Sequence, residues 1–129
     1  MYADKVLTAW KHWDNNTLDE VAPMLADDVV GTFPDGSTVK GKANFIKGAM
    51  EYRGMFNSVT SQIEACTALK SVEHPESTAV AIWGFETDTK KDGTVQKNAI
   101  HEVWFFNKEG KVTAVHQYMA AVKDEMEKK

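Results

Sequence analysis

The stretch at residues 95–122 reads VQKNAIHEVWFFNKEGKVTAVHQYMAAV. Apolar and polar residues alternate on both sides of NKEG (107–110), and a glycine just before a strand is typical of a hairpin loop. A further β-rich run precedes it at 77–89, STAVAIWGFETDT. Another begins at residue 58, where Val59, Ile63, Ala65 and Leu69 alternate with polar residues. The sequence therefore predicts four long antiparallel strands.

The first half of the chain has a helical period instead. Residues 4–15 place Val6, Leu7, Trp10 and Trp13 on one face of an amphipathic helix. A capping box formed by Thr17 and Glu20 is expected to start a second, short helix, which Pro23 should kink or restart. A third helix is expected within residues 41–56, ending near Gly54.

Between the second and third helices the chain reads VVGTFPDGST at 29–38. The Pro-Asp-Gly triplet is a turn signal, so a first hairpin of two short strands is expected here. A sheet with apolar and charged residues must cover one of its faces, and the early helices are the available cover. The fold class predicted is α+β, with three helices packed into a curved sheet.

Composition and charge limit the function classes. The 129 residues fit a single domain, 1–129, with 43% hydrophobic and 26% charged residues. The net charge is −4 and no basic stripe occurs, so nucleic-acid and anionic-membrane partners are not expected. No secretory signal or membrane span is indicated, and we expect a cytoplasmic protein with a solvated, unstructured tail at 123–129.

Metal and thiol chemistry also find little support in the sequence. Cys66 is the only cysteine, which rules out an intramolecular disulfide and favours a buried small side chain over a nucleophile. The scattered histidines and acids match no ligand spacing known for zinc or iron. We therefore expect no metal site and no cofactor.

Four segments together resemble the nuclear transport factor 2-like superfamily, which includes SnoaL-like polyketide cyclases and ketosteroid isomerase. They are WKHWDNNTLDEVAPMLADDVV (10–30), FPDG (33–36), KGKANF (40–45) and HEVWFFNKEGKVTAVHQYM (101–119). The resemblance implies a cone-shaped fold with a strongly curved, mainly antiparallel sheet. It also implies a cavity between the helices and the concave face, and a homodimer through the outer sheet face, where we expect His101, Val103, Phe105 and Tyr118.

The same resemblance assigns chemistry to three positions. The general-base aspartate of ketosteroid isomerase would fall on Phe33, which cannot accept a proton, and its oxyanion tyrosine would fall on Ala9. These departures argue against steroid-type isomerase activity. The protonated acid of that enzyme's oxyanion hole would fall on Glu102. Glu102 is either enclosed, as a hydrogen-bond donor or general acid/base, or exposed on the outer face beside a cation.

The direction of the neighbouring histidines depends on strand register. His101 and Glu102 are adjacent, so only one of them can point inward. A three-residue hairpin loop would pair Glu102 with His116, whereas a four-residue loop would send His116 to the other face. The resemblance favours the latter, with Val115, Gln117 and Met119 inside.

Asp14 follows Trp10 by one helical turn and is either a second catalytic acid or a helix terminator. Tyr52 and Arg53 could reach the cavity rim, although a surface arginine is the commoner arrangement. The residues expected to contact a ligand are Trp10, Phe33, Phe45, Trp104, Val115 and Gln117.

The function expected is binding of a small, largely apolar molecule, with the possibility of cofactor-independent acid/base chemistry of the isomerase, cyclase, dehydratase or hydrolase type. A non-catalytic carrier or sensor, and a protein-interaction module that uses the outer sheet face, are the alternatives left open.

Overall fold

The computed structural model describes residues 2–123; the expected unstructured tail lies outside them except for its first residue. Three helices and six strands form the predicted α+β fold, with the first hairpin between the second and third helices as expected. The elements are α1 (Tyr2–Asn15), a 3-10 helix (Leu18–Met24), β1 (Leu25–Thr32), β2 (Thr38–Lys40), α2 (Lys42–Arg53), β3 (Phe56–Lys70), β4 (Thr78–Lys90), β5 (Val95–Phe106) and β6 (Val112–Ala121).

The six strands form one sheet in the order β2-β1-β6-β5-β4-β3. Neighbours pair antiparallel except β1 and β6, which are parallel, so the sheet is mixed but mainly antiparallel as predicted. The four long strands and the first hairpin are confirmed. The parallel contact places the segment around Phe33 beside the last strand, next to the helices.

The core lies between the helices and one face of the sheet. Val6 of α1 and Val29 of β1 are fully buried, as is Phe106 at the end of β5. Burying a side chain of this size contributes about 2 kcal/mol relative to an exposed position. Helix α1 is therefore fixed on the sheet by its apolar face, which positions Trp10 and Trp13 over the strands.

The second helix differs from its prediction. Residues Leu18–Met24 form a 3-10 helix, and the Thr17 side chain makes no capping hydrogen bond. Its Oγ1 lies instead 2.8 Å from Nδ1 of His12. The capping-box interpretation is wrong because the end of α1 provides a nearer partner for the hydroxyl.

Strand β3 contains an irregularity that the alternation did not show. The pairing with β4 shifts between Ile63 and Ala65. After the shift Ala65 and Leu69 are exposed, and the half-buried Cys66 packs against the core with its Sγ 3.8 Å from the carbonyl oxygen of Ala3. A bulge of this kind reverses the face of every following residue.

The last hairpin settles which residues share a face with Glu102. Phe106 pairs with Val112, and a register shift follows, so neither predicted loop length is the observed one. Glu102 pairs with Gln117 and Trp104 with Val115. His116 points to the opposite face, the direction that the four-residue loop was expected to give.

Candidate functional site

A cavity of about 480 Å³ lies between the helices and the concave face of the sheet. Its wall is mostly apolar: Trp10 and Trp13 come from α1, and Phe45 and Ala49 from α2. Phe33 follows directly on β1 and closes another side, with its ring centroid 6.4 Å from that of Phe45. The remaining wall residues are Ala9, Leu18, Val21, Pro34, Asp35, Ser37, Val39, Ile46, Gly48, Tyr52, Glu86, Glu102, Trp104, Val115, Gln117 and Met119.

Glu102 is the central polar group of the sheet-side wall. It is only 6% exposed, and its two oxygens accept three side-chain hydrogen bonds. Nε1 of Trp10 and Nε1 of Trp104 donate to Oε1 over 3.1 Å and 2.9 Å. Nε2 of Gln117 donates to Oε2 over 2.6 Å. Glu102 is therefore enclosed, and the alternative of an exposed outer-face glutamate is excluded.

Two opposing effects act on the Glu102 carboxyl. Burial raises its pKa above the ordinary value, because the charged form loses its hydration. The hydrogen bonds from Trp104, Gln117 and Trp10 act in the other direction, because they stabilise the carboxylate. The pKa remains raised, so Glu102 can hold a proton more readily than a surface glutamate and still form a stabilised anion after losing it.

Two further acidic residues, Glu86 and Asp88, lie on β4 and face the same side of the sheet as Glu102. The sequence did not suggest them. Glu86 is 4% exposed and Asp88 is fully buried. Nε1 of Trp13 donates to Oε2 of Glu86 over 3.0 Å, and Nε2 of Gln96 donates to Oδ2 of Asp88 over 3.2 Å. Oδ1 of Asp88 accepts no hydrogen bond from any N–H or hydroxyl group of the described residues.

A proton on Glu86 accounts for this arrangement. Burial first, then the neighbouring Asp88, raise the pKa of Glu86 to about 9. A protonated Glu86 can donate to Asp88, whereas two neighbouring charged carboxylates would repel each other. At neutral pH the raised pKa of Glu86 therefore favours its protonated form beside the cavity.

The signal for this pair was present in the alternation of β4. Ile82, Gly84, Glu86 and Asp88 are all buried and share one face. In the sequence the segment ETDT (86–89) has two acids near the end of a predicted strand, a pattern equally typical of a solvated strand end.

Asp14 is not brought together with Glu102. Its Oδ2 accepts a hydrogen bond from the backbone N–H of Ser61 over 2.9 Å, and its Oδ1 accepts one from the Ser61 hydroxyl over 2.7 Å. Asp14 is not among the residues lining the cavity. These contacts attach the end of α1 to β3, which is a structural arrangement.

Arg53 is buried, and the surface interpretation of this residue is wrong. Its guanidinium donates through Nε to the carbonyl oxygen of Trp13 over 2.7 Å and through Nη2 to that of Asp14 over 2.8 Å. A longer contact of 3.4 Å joins Nη1 to the carbonyl of Phe56. Arg53 thus caps the C-terminus of α1.

Tyr52, its neighbour, lines the cavity and stacks on Trp13 with ring centroids 6.0 Å apart.

The outer face of the sheet carries an aromatic ladder across three strands. His101 stacks between Trp83 and Tyr118, with ring centroids 4.6 Å and 5.7 Å away. Trp83 is 41% exposed and Tyr118 55% exposed. Both His101 and His116 belong to this outer face, so neither lies beside Glu102 in the cavity.

Within residues 2–123, no group of three or more histidine, cysteine, aspartate or glutamate side chains is arranged to hold a metal ion. In the same part of the chain, no helix has the length and apolar character needed to cross a membrane.

Comparison with known proteins identifies the family. A family model described as a SnoaL-like domain matches residues 6–115, which is most of the chain. The chain therefore belongs to the SnoaL-like family of the nuclear transport factor 2-like fold. Among curated proteins, none matches it in sequence.

Solved structures show the same fold at low sequence identity. A nuclear transport factor 2-like protein of unknown function from Exiguobacterium sp. 255-15 superimposes with a TM-score of 0.69 at 12% identity, covering 93% of this chain and 98% of that chain. The orange carotenoid protein of Anabaena (Nostoc) sp. PCC 7120, solved with bound canthaxanthin, gives 0.73 at 17% identity. That match covers 95% of this chain but 38% of the carotenoid protein.

Proposed function

We propose that this chain binds a small, largely apolar molecule in its cavity and that Glu102 exchanges a proton with a polar group of that molecule without a cofactor. The observation that carries the proposal is a nearly fully buried carboxyl group on the wall of an apolar cavity, held by three N–H donors. Apolar pockets with a few convergent polar groups are the usual form of a small-molecule site.

The proton transfer uses the opposing effects on Glu102. When the Glu102 O–H bond breaks, the proton passes to an oxygen or nitrogen of the ligand, and the indole N–H groups of Trp10 and Trp104 stabilise the carboxylate. In the reverse direction the carboxylate accepts a proton from the ligand. General acid/base catalysis of this kind contributes about 10²–10⁴-fold to a rate. Isomerase, cyclase, dehydratase and hydrolase reactions all fit such a group.

The Anabaena protein, part of which has this fold, binds canthaxanthin, and this supports an apolar ligand for the present chain. A non-catalytic carrier would use the same cavity and would bind without turnover. Glu86 is the second candidate acid on the wall, whereas Asp14, which is fully engaged with Ser61, is assigned no catalytic role.

Binding is tested with the neutral dye Nile red, whose fluorescence rises in an apolar site. Ala49 lies on the cavity side of α2, so Ala49→Trp should fill the space and abolish the rise. Ala43 is exposed on the same helix, and Ala43→Trp is the matched control. Equal fluorescence from both variants would refute binding in the cavity.

Proton transfer is tested with nitrobenzisoxazole, whose ring opens when a carboxylate removes its C–H proton and the N–O bond breaks. We expect Glu102→Gln to reduce kcat/KM at least tenfold, because the amide cannot accept the proton. Glu109 is exposed in the last hairpin loop, so Glu109→Gln should leave the rate unchanged. Dye binding without any rate dependent on Glu102 would favour the carrier.

The proposal includes a homodimer through the outer sheet face. The half-exposed rings of Trp83 and Tyr118 supply the apolar surface, and the second copy would cover the ladder they form with His101. Tyr118→Glu should shift the sedimentation coefficient from dimer to monomer, whereas Val72→Glu, in the exposed segment between β3 and β4, should not. A monomeric parent protein would refute this part of the proposal.

A further inference from the structure

The charge of the cavity wall is one-sided. Three lining residues carry carboxyl groups: Glu86 and Glu102 on the sheet side, and Asp35 in the exposed turn between β1 and β2. Among the described residues that line the cavity, none is lysine, arginine or histidine. The wall therefore offers a ligand acidic groups that can ionise and no basic group.

Carboxyl groups as deeply buried as these usually have a cationic partner, because an unpaired buried charge is costly. Within residues 2–123 neither Glu86 nor Glu102 forms a salt bridge; the ion pairs there involve Asp27 and Glu76. The fully buried Asp88, two residues from Glu86 on the same face of β4, also has an oxygen that accepts no hydrogen bond from the described residues. The described residues therefore supply no salt-bridge partner to this group of acids.

Aromatic rings form much of the remaining wall. Trp10 and Trp13 lie on α1, Tyr52 lies on α2, and Trp104 lies on β5. The negative face of such a ring attracts a cation, most strongly for tryptophan and where water is excluded. Rings of this kind beside uncompensated carboxyl groups match an organic cation better than an anion.

Building on the proposed function, we propose that the polar group of the ligand is a basic nitrogen, so that the cavity binds an apolar amine as its ammonium ion. The ammonium group would lie against Glu102 and Glu86, and the apolar body against the aromatic wall. An apolar carboxylate of the same shape would bind weakly, because it would bring a buried negative charge into a site that has no cation among its lining residues.

The proton balance is simple. An ammonium ion entering the cavity favours ionisation of Glu102 or Glu86, whose proton passes to solvent; no other bond changes. The ionisable groups that face Glu86 are Asp88 on its own strand, Glu102 on β5 and Tyr52 on α2, and α1 contributes the indole of Trp13. None of these groups is a cation that would compete with the ligand.

The test compares three probes that share one ring and differ in charge: naphthylethylamine, naphthylethanol and naphthylacetate. Their dissociation constants are measured by isothermal titration calorimetry with the full chain near neutral pH. We expect the amine to bind at least about tenfold more tightly than the alcohol, and the carboxylate to bind most weakly.

The double variant Glu86→Gln with Glu102→Gln keeps the shape of both side chains and removes their charge. It should lose the preference for the amine over the alcohol, and measurable binding of the alcohol, whatever its strength, would show that the cavity is intact. Glu109→Gln, exposed and remote, should keep that preference and so controls for the change in net charge.

The two proposals fail in different ways. If the alcohol or the carboxylate binds as tightly as the amine, the ammonium proposal is overturned while ligand binding stands. The same conclusion follows if the double variant retains the preference. If none of the three probes binds, the proposed function and the ammonium proposal fall together.

Discussion

Replacing Glu86 by glutamine should change how the stability of this protein depends on pH. Its pKa is raised from 4.5 to about 9 in the folded protein, chiefly by burial and then by Asp88. Between these values the folded chain holds a proton that the unfolded chain has lost. Stability must therefore fall as the pH rises through this range, because the unfolded state binds fewer protons.

The size of the effect follows from the number of protons. A difference of one bound proton changes the free energy of unfolding by about 1.4 kcal/mol per pH unit. From about pH 5.5 to about pH 8.5 the contribution of Glu86 should fall by about 4 kcal/mol. Glutamine can accept from Trp13 and donate to Asp88 as the protonated acid does, but it does not titrate. Glu86→Gln should therefore be more stable than the parent at the higher pH and remove this slope.

The assay is urea unfolding followed by tryptophan fluorescence at about pH 5.5, 7 and 8.5, with the parent, Glu86→Gln and Glu109→Gln. The difference between parent and variant at each pH cancels the titration of groups that both chains share. Glu109→Gln should follow the parent because its side chain is exposed in both states. Parallel curves for the parent and Glu86→Gln would show that Glu86 is ionised in the folded protein and that its pKa is not raised.

Two further predictions concern packing, and both are measured as free energies of unfolding in urea. Arg53→Met should destabilise by about 3 kcal/mol, because the carbonyl groups at the end of α1 lose their charged donor; a loss below about 1 kcal/mol would contradict the capping role. Gly84→Ala should destabilise by about 2 kcal/mol or more, because a Cβ would lie 2.5 Å from the carbonyl oxygen of Gln62. Gly48→Ala, with open space around it on a helix, should gain about 0.5–1 kcal/mol, and similar effects at both glycines would contradict this contrast.

The sequence predicted the parts of the fold that local patterns determine. Helix α1, the four long strands and the hairpin after β1 each have a periodicity or a turn signal within a short window. The parallel pairing of β1 with β6 joins residues more than 80 positions apart and has no local signal. The register shift after Ile63 also has no local signal in the sequence of β3. A bulge depends on the partner strand, which here has Gly84 opposite Ile63.

The site residues were predictable where the alternation along a strand and the family resemblance indicated the same face of the sheet. Glu102, Trp104 and Gln117 share a face because the hairpin register places them there. Glu86 and Asp88 follow the same alternation, but two acids near the end of a strand look like a solvated segment unless the curvature of the sheet is known. Arg53 was misjudged because its partners are backbone carbonyls, which leave no trace in the pattern of side chains.

The position of the buried acids bears on why the cavity exists. Within residues 2–123 the buried acidic side chains are Glu86, Asp88 and Glu102, and all occupy inward positions of β4 and β5. Apolar residues there would fill the sheet face without desolvating a carboxyl group and would stabilise the fold. Several ionisable residues buried together in a core indicate a functional site more strongly than one such residue alone. The group of acids therefore indicates that this face serves a ligand at the expense of stability. A variant with all three acids made apolar should be more stable in urea and should lose the preference for an ammonium ligand.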